Sequence, residues 1–174
     1  MRSTISNLAV DVKPVTRRDV LLLEAHLPFG VPEKHADRSA RQRKGQVVYL
    51  IAWYEGAPIG HALLKWQGAE EVQFTSVVQG TCPDVEDLFV LESFRSHGVG
   101  RQILEVAERL ARGRGLRHIG LSVAVNNTRA RVLYDRLGYR DAGLGPLHEH
   151  LEYLDASGQR QTWDETCVYL TKSL

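Results

Sequence analysis

The sequence predicts a mixed α/β (α+β) fold, and three stretches carry the prediction. From Asp84 to Arg112 a strand runs through a glycine-containing loop into a long amphipathic helix. From Gln46 to Trp66 two β-rich runs flank Glu55-Gly56-Ala57-Pro58, which reads as a hairpin. From Leu116 to Ala142 a strand is followed by a helix, a closing glycine and the start of another strand. At 174 residues the chain is expected to form one domain over residues 1–174 with a sizeable core. Hydrophobic content of 43% and charged content of 25% are ordinary for a globular protein. A net charge of +1 provides no field that would recruit nucleic acid or an anionic membrane. No apolar run is long enough to cross a bilayer, and the N-terminus has no apolar signal core, so the expected location is cytoplasmic. Cys82 and Cys167, in such a chain, read as two free thiols packed in or beside strands.

Taken in order, Leu8 to Val12 alternates and suits a first strand. Thr16, with Asp19 three residues on, marks a helix start, and Val20 to His26 forms a short apolar helix ending before Leu27-Pro28. Phe29-Gly30-Val31-Pro32 is a breaker cluster. Glu33 to Lys44 is polar and helical, with Arg38, Arg41, Arg43 and Lys44 read as a solvated face. After the hairpin, Gln67 to Glu71 turns, and Val72 to Gln79 adds a further short strand or an irregular edge. Gly80 to Pro83 breaks it before the central strand. Gly113-Arg114-Gly115 ends the central helix. Leu116 to Val125 is a strand, and Asn126 or Asn127 caps the next helix, whose inner face is Ala130, Leu133, Tyr134 and Leu137.

Gly138 closes that helix. Tyr139 to Pro146 should hold a sixth strand, Asp155 to Gly158 a hairpin turn, and Thr162 to Lys172 the last strand. Trp163, Asp164 and Glu165 sit where they could reach an acceptor. His148-Glu149-His150-Leu151-Glu152 falls short of the H-E-x-x-H zinc motif, because Glu152 stands where the second His belongs. It reads as strand alternation, with Glu149, Leu151 and Tyr153 on one face and His148, His150 and Glu152 on the other. No metal is expected, since no third or fourth ligand is evident.

The central stretch carries the chemistry. Val99, Ile103, Val106, Ala107 and Leu110 share one helix face, while Glu105–Arg109 and Glu108–Arg112 are spaced as ion pairs on the other. Between strand and helix lies Arg95-Ser96-His97-Gly98-Val99-Gly100-Arg101. Gly98 and Gly100 lack a Cβ, so a ligand can approach the backbone. The free N–H groups of the helix's first turn and its positive dipole end make a seat for a phosphate. The dinucleotide pattern G-x-G-x-x-G is not continued, and the P-loop's G-K-[ST] is absent because Arg101-Gln102 follows Gly100. The pattern that fits is [QR]-x-x-G-x-[GA], carried by Arg95, Gly98 and Gly100, with Val90 five residues ahead of the arginine.

That pattern resembles the acetyl-CoA-binding motif of the GNAT N-acetyltransferase superfamily. A second resemblance follows in the right order: N-x-x-A-x-x-L-Y-x-x-x-G-Y, from Asn127 to Tyr139. Glu92 stands where many members have Pro and Ser96 where many have Gly, and neither change removes a backbone N–H. The resemblance implies the GNAT fold: a mixed, mostly antiparallel sheet of six or seven strands flanked by about four helices. It implies acetyl-CoA as co-substrate, held by Phe89, Val90, Arg95, Ser96, His97, Gly98, Val99, Gly100, Arg101 and Asn127, between strands that splay to admit the pantetheine. His97 is expected to lend only its N–H. The Val90 N–H would polarise the thioester carbonyl, and Tyr134 would protonate the departing thiolate.

The string Glu86-Asp87-Leu88-Phe89-Val90 resembles the E-D-F-F-V string of spermidine/spermine acetyltransferases, in which the Glu matching Glu86 is taken as the base. Alternation would put Asp84, Glu86, Leu88 and Val90 on one face of the strand, so Asp84 is the second base candidate. The plain structural alternatives are a carboxylate paired with a nearby arginine for Glu86 and a core aromatic for Tyr134. The expected function is transfer of the acetyl group of acetyl-CoA to a primary amine of a small molecule, polyamine-like or otherwise cationic, by direct attack in a ternary complex. A protein N-terminus or lysine, an aminoglycoside-type antibiotic, and a non-catalytic acyl-CoA-binding module are the alternatives. No nucleic acid, membrane or metal partner is expected, and a homodimer is an allowed assembly.

Overall fold

The hairpin over residues 46–66 lies between the first strand and the central strand of the sheet. In this computed structural model, which describes residues 8–27, 31, 33–70, 81–155 and 157–174, β2 (Val47–Tyr54) and β3 (Ala57–Lys65) pair antiparallel. Their two-residue turn has positive φ at both Glu55 (48°) and Gly56 (81°), the turn geometry that matches the twist of a hairpin. β1 (Asp11–Pro14) pairs with β2 and β4 (Asp84–Val90) with β3, both antiparallel. β5 (His118–Ala124) lies parallel to β4, and β8 (Arg160–Ser173) runs antiparallel beside β5. β6 (Arg140–Asp141) and β7 (Leu147–Leu154) both pair with β8. The described residues thus form one mixed, mostly antiparallel sheet of eight strands, in the order β1-β2-β3-β4-β5-β8-β6 with β7 also on β8. Among the described residues four α-helices accompany it: α1 (Val20–His26), α2 (Lys34–Arg43), α3 (Val99–Gly113) and α4 (Thr128–Arg136).

The expected sixth strand stops after Asp141, and the strand read over His148 to Tyr153 is β7. Gly143 and Gly145 adopt positive φ (71° and 76°), and the Gly143 N–H donates to the Asp141 carboxylate at 2.8 Å. The chain leaves the ladder there and rejoins it as β7. The first strand also moves, from the expected 8–12 to 11–14. Its predecessors are bound elsewhere: the Leu8 N–H donates to the His97 carbonyl at 3.0 Å, while the Gln102 amide takes the Val10 N–H and donates to the Leu8 carbonyl. Helix α1 begins at Val20, because Asp19 spends its carboxylate on the Thr16 N–H and hydroxyl (both 2.7 Å) in a preceding turn. The expected strand over Val72–Gln79, and Phe29, Gly30 and Pro32 of the breaker cluster, lie outside the described residues.

The sheet buries both faces. One carries Leu50, Ala52, Leu64, Val85, Leu121 and Val123 against Ile103, Leu104 and Ala107 of α3. The other packs Tyr49, Ile51, Trp53 and Leu63 against Leu23 and Leu27 around α1. Helix α2 corrects the expected solvated basic face at Arg38, whereas Arg43 and Lys44 are exposed as expected. His35, Arg38 and Ser39 are buried, and Gln42, one turn on, donates to the Val15 carbonyl and accepts the Tyr49 N–H. These positions, i, i+3, i+4 and i+7, are a helix's inward stripe written in polar residues. On α3, Glu105 pairs with Arg101 (3.7 Å) instead of Arg109. Glu108 is buried, taking Lys172 at 2.8 Å and the Tyr139 hydroxyl at 3.2 Å as well as Arg112. Cys82 and Cys167 are both free and buried. Among the described residues no helix is long and apolar enough to cross a membrane.

Candidate active site

β4 and β5 each run seven residues but are paired only at Asp84 and Gly120. Beyond that bridge opens a cleft of about 920 Å³, lined on the strand side by Leu88, Phe89 and Val90, on the α3 side by residues from Arg95 to Arg101, and on the α4 side by residues from Asn127 to Leu137. A bulge shapes its strand wall. Leu63 opposes Glu86 and His61 opposes Phe89, so Ala62 alone faces both Asp87 and Leu88. The bulge breaks the expected alternation. Asp84 and Glu86 share the face of Lys65 and Leu63, whereas Leu88 and Val90 turn to the α3 side and pack with that core. Glu86 therefore stands on the opposite face of β4 from the cleft-lining Leu88 and Val90, and shares its face with Phe89.

The strand then leaves Val90's polar groups free of the β3 ladder. The Leu91 N–H donates to the Ile59 carbonyl at 2.9 Å, so by strand alternation the Val90 N–H points the other way, into the splay. The Val90 carbonyl accepts from Arg95 Nε at 2.9 Å. The motif arginine thus ties the loop to the strand it follows.

The loop itself is a sequence of tight turns. Ser96 (φ 67°) and Gly98 (φ 79°) both lie in the left-handed region, and Gly98 caps α3. For Ser96 this conformation costs roughly 1–2 kcal/mol, and it explains why a glycine is at home in that position of the motif. The Ser96 hydroxyl accepts from Arg129 of α4 at 2.8 Å, across the cleft. His97 is exposed, with Nδ1 on the Arg95 carbonyl at 2.9 Å. Asn127 accepts the Ala130 N–H at 3.1 Å and so caps α4 on the opposite wall. Gly100 has ordinary helical φ, and a Cβ placed there would stand 3.5 Å from Leu133 and 3.8 Å from Leu88. Both are cleft-lining residues in ordinary van der Waals range. The protein could hold that methyl group, so what the glycine keeps open is the cleft. A cradle a Cβ would narrow, beside free first-turn N–H groups, fits an acyl-CoA pyrophosphate and arm.

Tyr134 projects from α4 into this cleft and is 7% exposed. Burial pushes its hydroxyl up to about 12, so it keeps its proton at any working pH. Among the described residues the hydroxyl makes no hydrogen bond, and the ring tilts against Tyr139 at 5.9 Å between centroids.

The two candidate bases differ sharply. Glu86 is exposed but paired with Lys65, Nζ to Oε2 2.9 Å, so its partner is a lysine where an arginine was the alternative. Asp84 is 5% exposed and lies opposite Lys65 in the ladder, with the Tyr169 hydroxyl against it. Burial opposes the charge on Lys65, but Glu86, Asp84 and Glu70 together outweigh it and keep the ammonium protonated. Lys65 was not singled out in the sequence, and only its place opposite Asp84 could have signalled it. Farther along the same sheet face, the Ser122 hydroxyl donates to Glu149 at 3.2 Å, and Glu149 stands cross-strand from Glu165. On the opposite face of β7, His150 and His148 pair with Asp164 at 2.7 and 3.4 Å. Among the described residues no group of His, Cys, Asp and Glu is arranged to hold a metal ion.

A strand entering a glycine loop and helix, beside a parallel neighbour that pulls away from it, defines a protein built to take an acyl-CoA arm between two strands. Comparison with known proteins agrees. The model of the acetyltransferase (GNAT) family matches residues 18–139, and the chain belongs to that family, whose acyl donor is acetyl-CoA. It is similar to mycothiol acetyltransferase of Corynebacterium glutamicum, 29% identical over 100 residues, 56% of this chain and 33% of that protein. The curated relatives match it over 33% to 64% of their own lengths. In fold it is similar to Arabidopsis thaliana NAA60 in complex with a bisubstrate analogue, with a TM-score of 0.69, 20% identity, and 95% of this chain and 98% of that one covered. It is also similar to a GNAT family acetyltransferase of Elizabethkingia anophelis with acetyl-CoA bound, with a TM-score of 0.59, 18% identity and the same coverage.

Proposed function

We propose that this chain transfers the acetyl group of acetyl-CoA to a primary amine of a small cationic molecule, polyamine-like in its charge, by direct attack in a ternary complex. The observation that supports it most is the splayed cleft with Gly100 on one wall, the Val90 N–H on a second and the protonated Tyr134 on a third. Phe89, Val90, the loop from Arg95 to Arg101 and the start of α4 at Asn127 would hold the CoA. Gly98 to Arg101 offer first-turn N–H groups to its pyrophosphate.

The acceptor enters protonated, because an alkyl amine has a pKa of ~10.4. Glu86 takes that proton, directly or through a water. The amine nitrogen bonds to the thioester carbon while the Val90 N–H stabilises the negative charge on the carbonyl oxygen. The carbon–sulfur bond then breaks, the thiolate takes the Tyr134 proton, and the amide nitrogen gives up its remaining excess proton through water, which restores the Tyr134 hydroxyl, while Glu86 releases its proton to solvent. Glu86 and the cross-strand pair Glu149 and Glu165 face the same side of the sheet, which favours a cationic acceptor.

The test is release of free CoA thiol from acetyl-CoA with a panel of acceptors: polyamines, other small amines, an aminoglycoside, and peptides with free N-termini or lysines. Turnover with the polyamines or other small cations supports the proposal. Turnover only with peptides or the aminoglycoside moves the acceptor to that class. CoA binding without turnover on any of them would make the chain a non-catalytic acyl-CoA-binding module.

A further inference from the structure

The bulge in β4 puts a non-glycine residue, Asp87, at φ 55°. That conformation is unfavourable for a side chain and persists only where the surroundings hold it. Helix α2 supplies the hold. Arg38 Nη2 donates to Asp87 Oδ2 at 2.6 Å, and Lys34 Nζ stands 3.4 Å from the same oxygen. The Arg38 side chain is only 3% exposed and lies over the Tyr49 ring at 5.2 Å, so its guanidinium is fixed in place. Burial would raise the Asp87 carboxyl, but Arg38, His61 and Lys34 outweigh it and keep it ionised below the usual carboxylate range.

The next three residues form the strand wall of the cleft, and their backbone is tightly confined. A Cβ at Gly60 would stand 2.7 Å from the Phe89 carbonyl oxygen, so β3 presses on this segment from one side. Leu91 is bonded back to Ile59, and Arg95 holds the Val90 carbonyl from the other side. The remaining freedom lies at the bulge, where one residue of β3 faces two of β4.

We infer that Arg38 and Lys34 are positioning residues which, acting through Asp87, hold the β4 bulge and thereby aim the Val90 N–H at the thioester carbonyl. The inference rests on the acetyltransferase reading and extends it to a helix with no residue in the cleft. Helix α2 packs on the sheet face that carries Glu86, so the pin links that face to the strength of carbonyl polarisation on the other.

The test is infrared difference spectroscopy of acetyl-CoA labelled with ¹³C at the thioester carbonyl, bound without any acceptor, together with CoA affinity by calorimetry. In the wild-type protein the bound carbonyl stretch should lie below that of free acetyl-CoA. Asp87→Asn, equal in size, and Arg38→Met should return it at least halfway to the free value, with CoA affinity within threefold of wild type. Arg38→Lys, which keeps the charge, should retain more of the displacement than Arg38→Met. Lys34→Met, at a partly exposed position, keeps the test open if Arg38→Met does not fold, and should show a smaller return. Wild-type stretches in the folded Asp87→Asn and Lys34→Met variants would overturn the inference. So would a loss of CoA affinity beyond tenfold, since the pin would then act on the cradle as a whole. An undisplaced stretch in the wild-type protein would instead overturn the reading on which the inference rests.

Discussion

The Lys65 ammonium stands 2.9 Å from the carboxylate of Glu86, the residue proposed to take the acceptor's proton. The acceptor's own ammonium must therefore compete with a cation already seated. Lys65 is 7% exposed at its side chain and Glu86 45%, so the carboxylate is the mobile partner and can swing toward a substrate. Glu86→Gln should fold, bind CoA normally and lose roughly a hundredfold in kcat/KM, the low end of what a positioned base contributes. The loss should shrink toward pH 10, where the free amine needs no base. Asp84, buried between Lys65 and Tyr169, is expected to matter for stability instead. Asp84→Asn should keep the wild-type pH–rate profile while unfolding at a lower urea concentration. An altered profile in Asp84→Asn with a normal one in Glu86→Gln would move the base to Asp84.

Gly100 is the cleaner probe of the phosphate seat. Gly98 sits at φ 79°, so any side chain there strains the backbone as well as filling the cleft. Gly100 is helical, and among the described residues its missing Cβ would meet only Leu133 and Leu88 within 4 Å. Gly100→Val should weaken CoA binding more than tenfold, about 1.4 kcal/mol, with the fold intact, and Gly100→Ala should weaken it less. Calorimetry on folded Gly100→Val that returns wild-type affinity would remove the seat from this loop.

What could be read from the sequence was whatever a backbone constraint writes into residue type. The glycine spacing after Arg95 exists because a left-handed turn and a close ligand approach both exclude a Cβ, and that spacing located the cleft. The hairpin was legible in the same way, from Gly56. The β4 bulge was not, because Asp87 reaches positive φ without the glycine that would have announced it. It is held by an arginine that hydropathy assigns to solvent. Helix α2 hides for the same reason: its inward stripe is His35, Arg38, Ser39 and Gln42, and apolar periodicity is blind to a polar core face. The broken sixth strand was different, since Gly143, Gly145 and Pro146 were in plain view and argued against a continuous strand.

Tyr134 separates binding from chemistry. Its hydroxyl is buried, held in the protonated form and bonded to nothing else among the described residues. Tyr134→Phe preserves the ring that packs on Tyr139 and removes only the proton donor. Turnover should fall by roughly a hundredfold, with KM for acetyl-CoA and CoA affinity little changed, because the lost interaction forms only as the thiolate departs. Unchanged turnover with a good acceptor would leave Tyr134 a packing residue and make water the acid.

The buried histidines His35, on the inward stripe of α2, and His61, on β3, set an acid limit on the fold. Burial holds His61 down to about 3, and burial likewise lowers His35, which bonds the Tyr49 hydroxyl at 2.7 Å and the Leu27 carbonyl at 2.6 Å. An unfolded histidine titrates near 6.5. Below that pH the unfolded chain binds protons that the folded imidazoles refuse, so stability must fall as pH falls from about 6.5 toward 3. For His61 the loss between pH 7 and pH 5 comes to about 2 kcal/mol. Asp87 adds to it lower down. Its carboxyl is held below the ordinary value, so its contribution is complete above the unfolded pKa of ~3.9 and disappears as pH drops through the folded one. Urea melts at pH 7 and pH 5 should show a clear loss for the wild-type protein. His61→Gln, whatever its stability at pH 7, should lose about 2 kcal/mol less over the same interval. Asp87→Asn should match the wild type over that interval and diverge from it only below pH 4. Equal losses in wild type and His61→Gln would mean that His61 takes up its proton in the folded state, and that the imidazole is not held neutral by its burial.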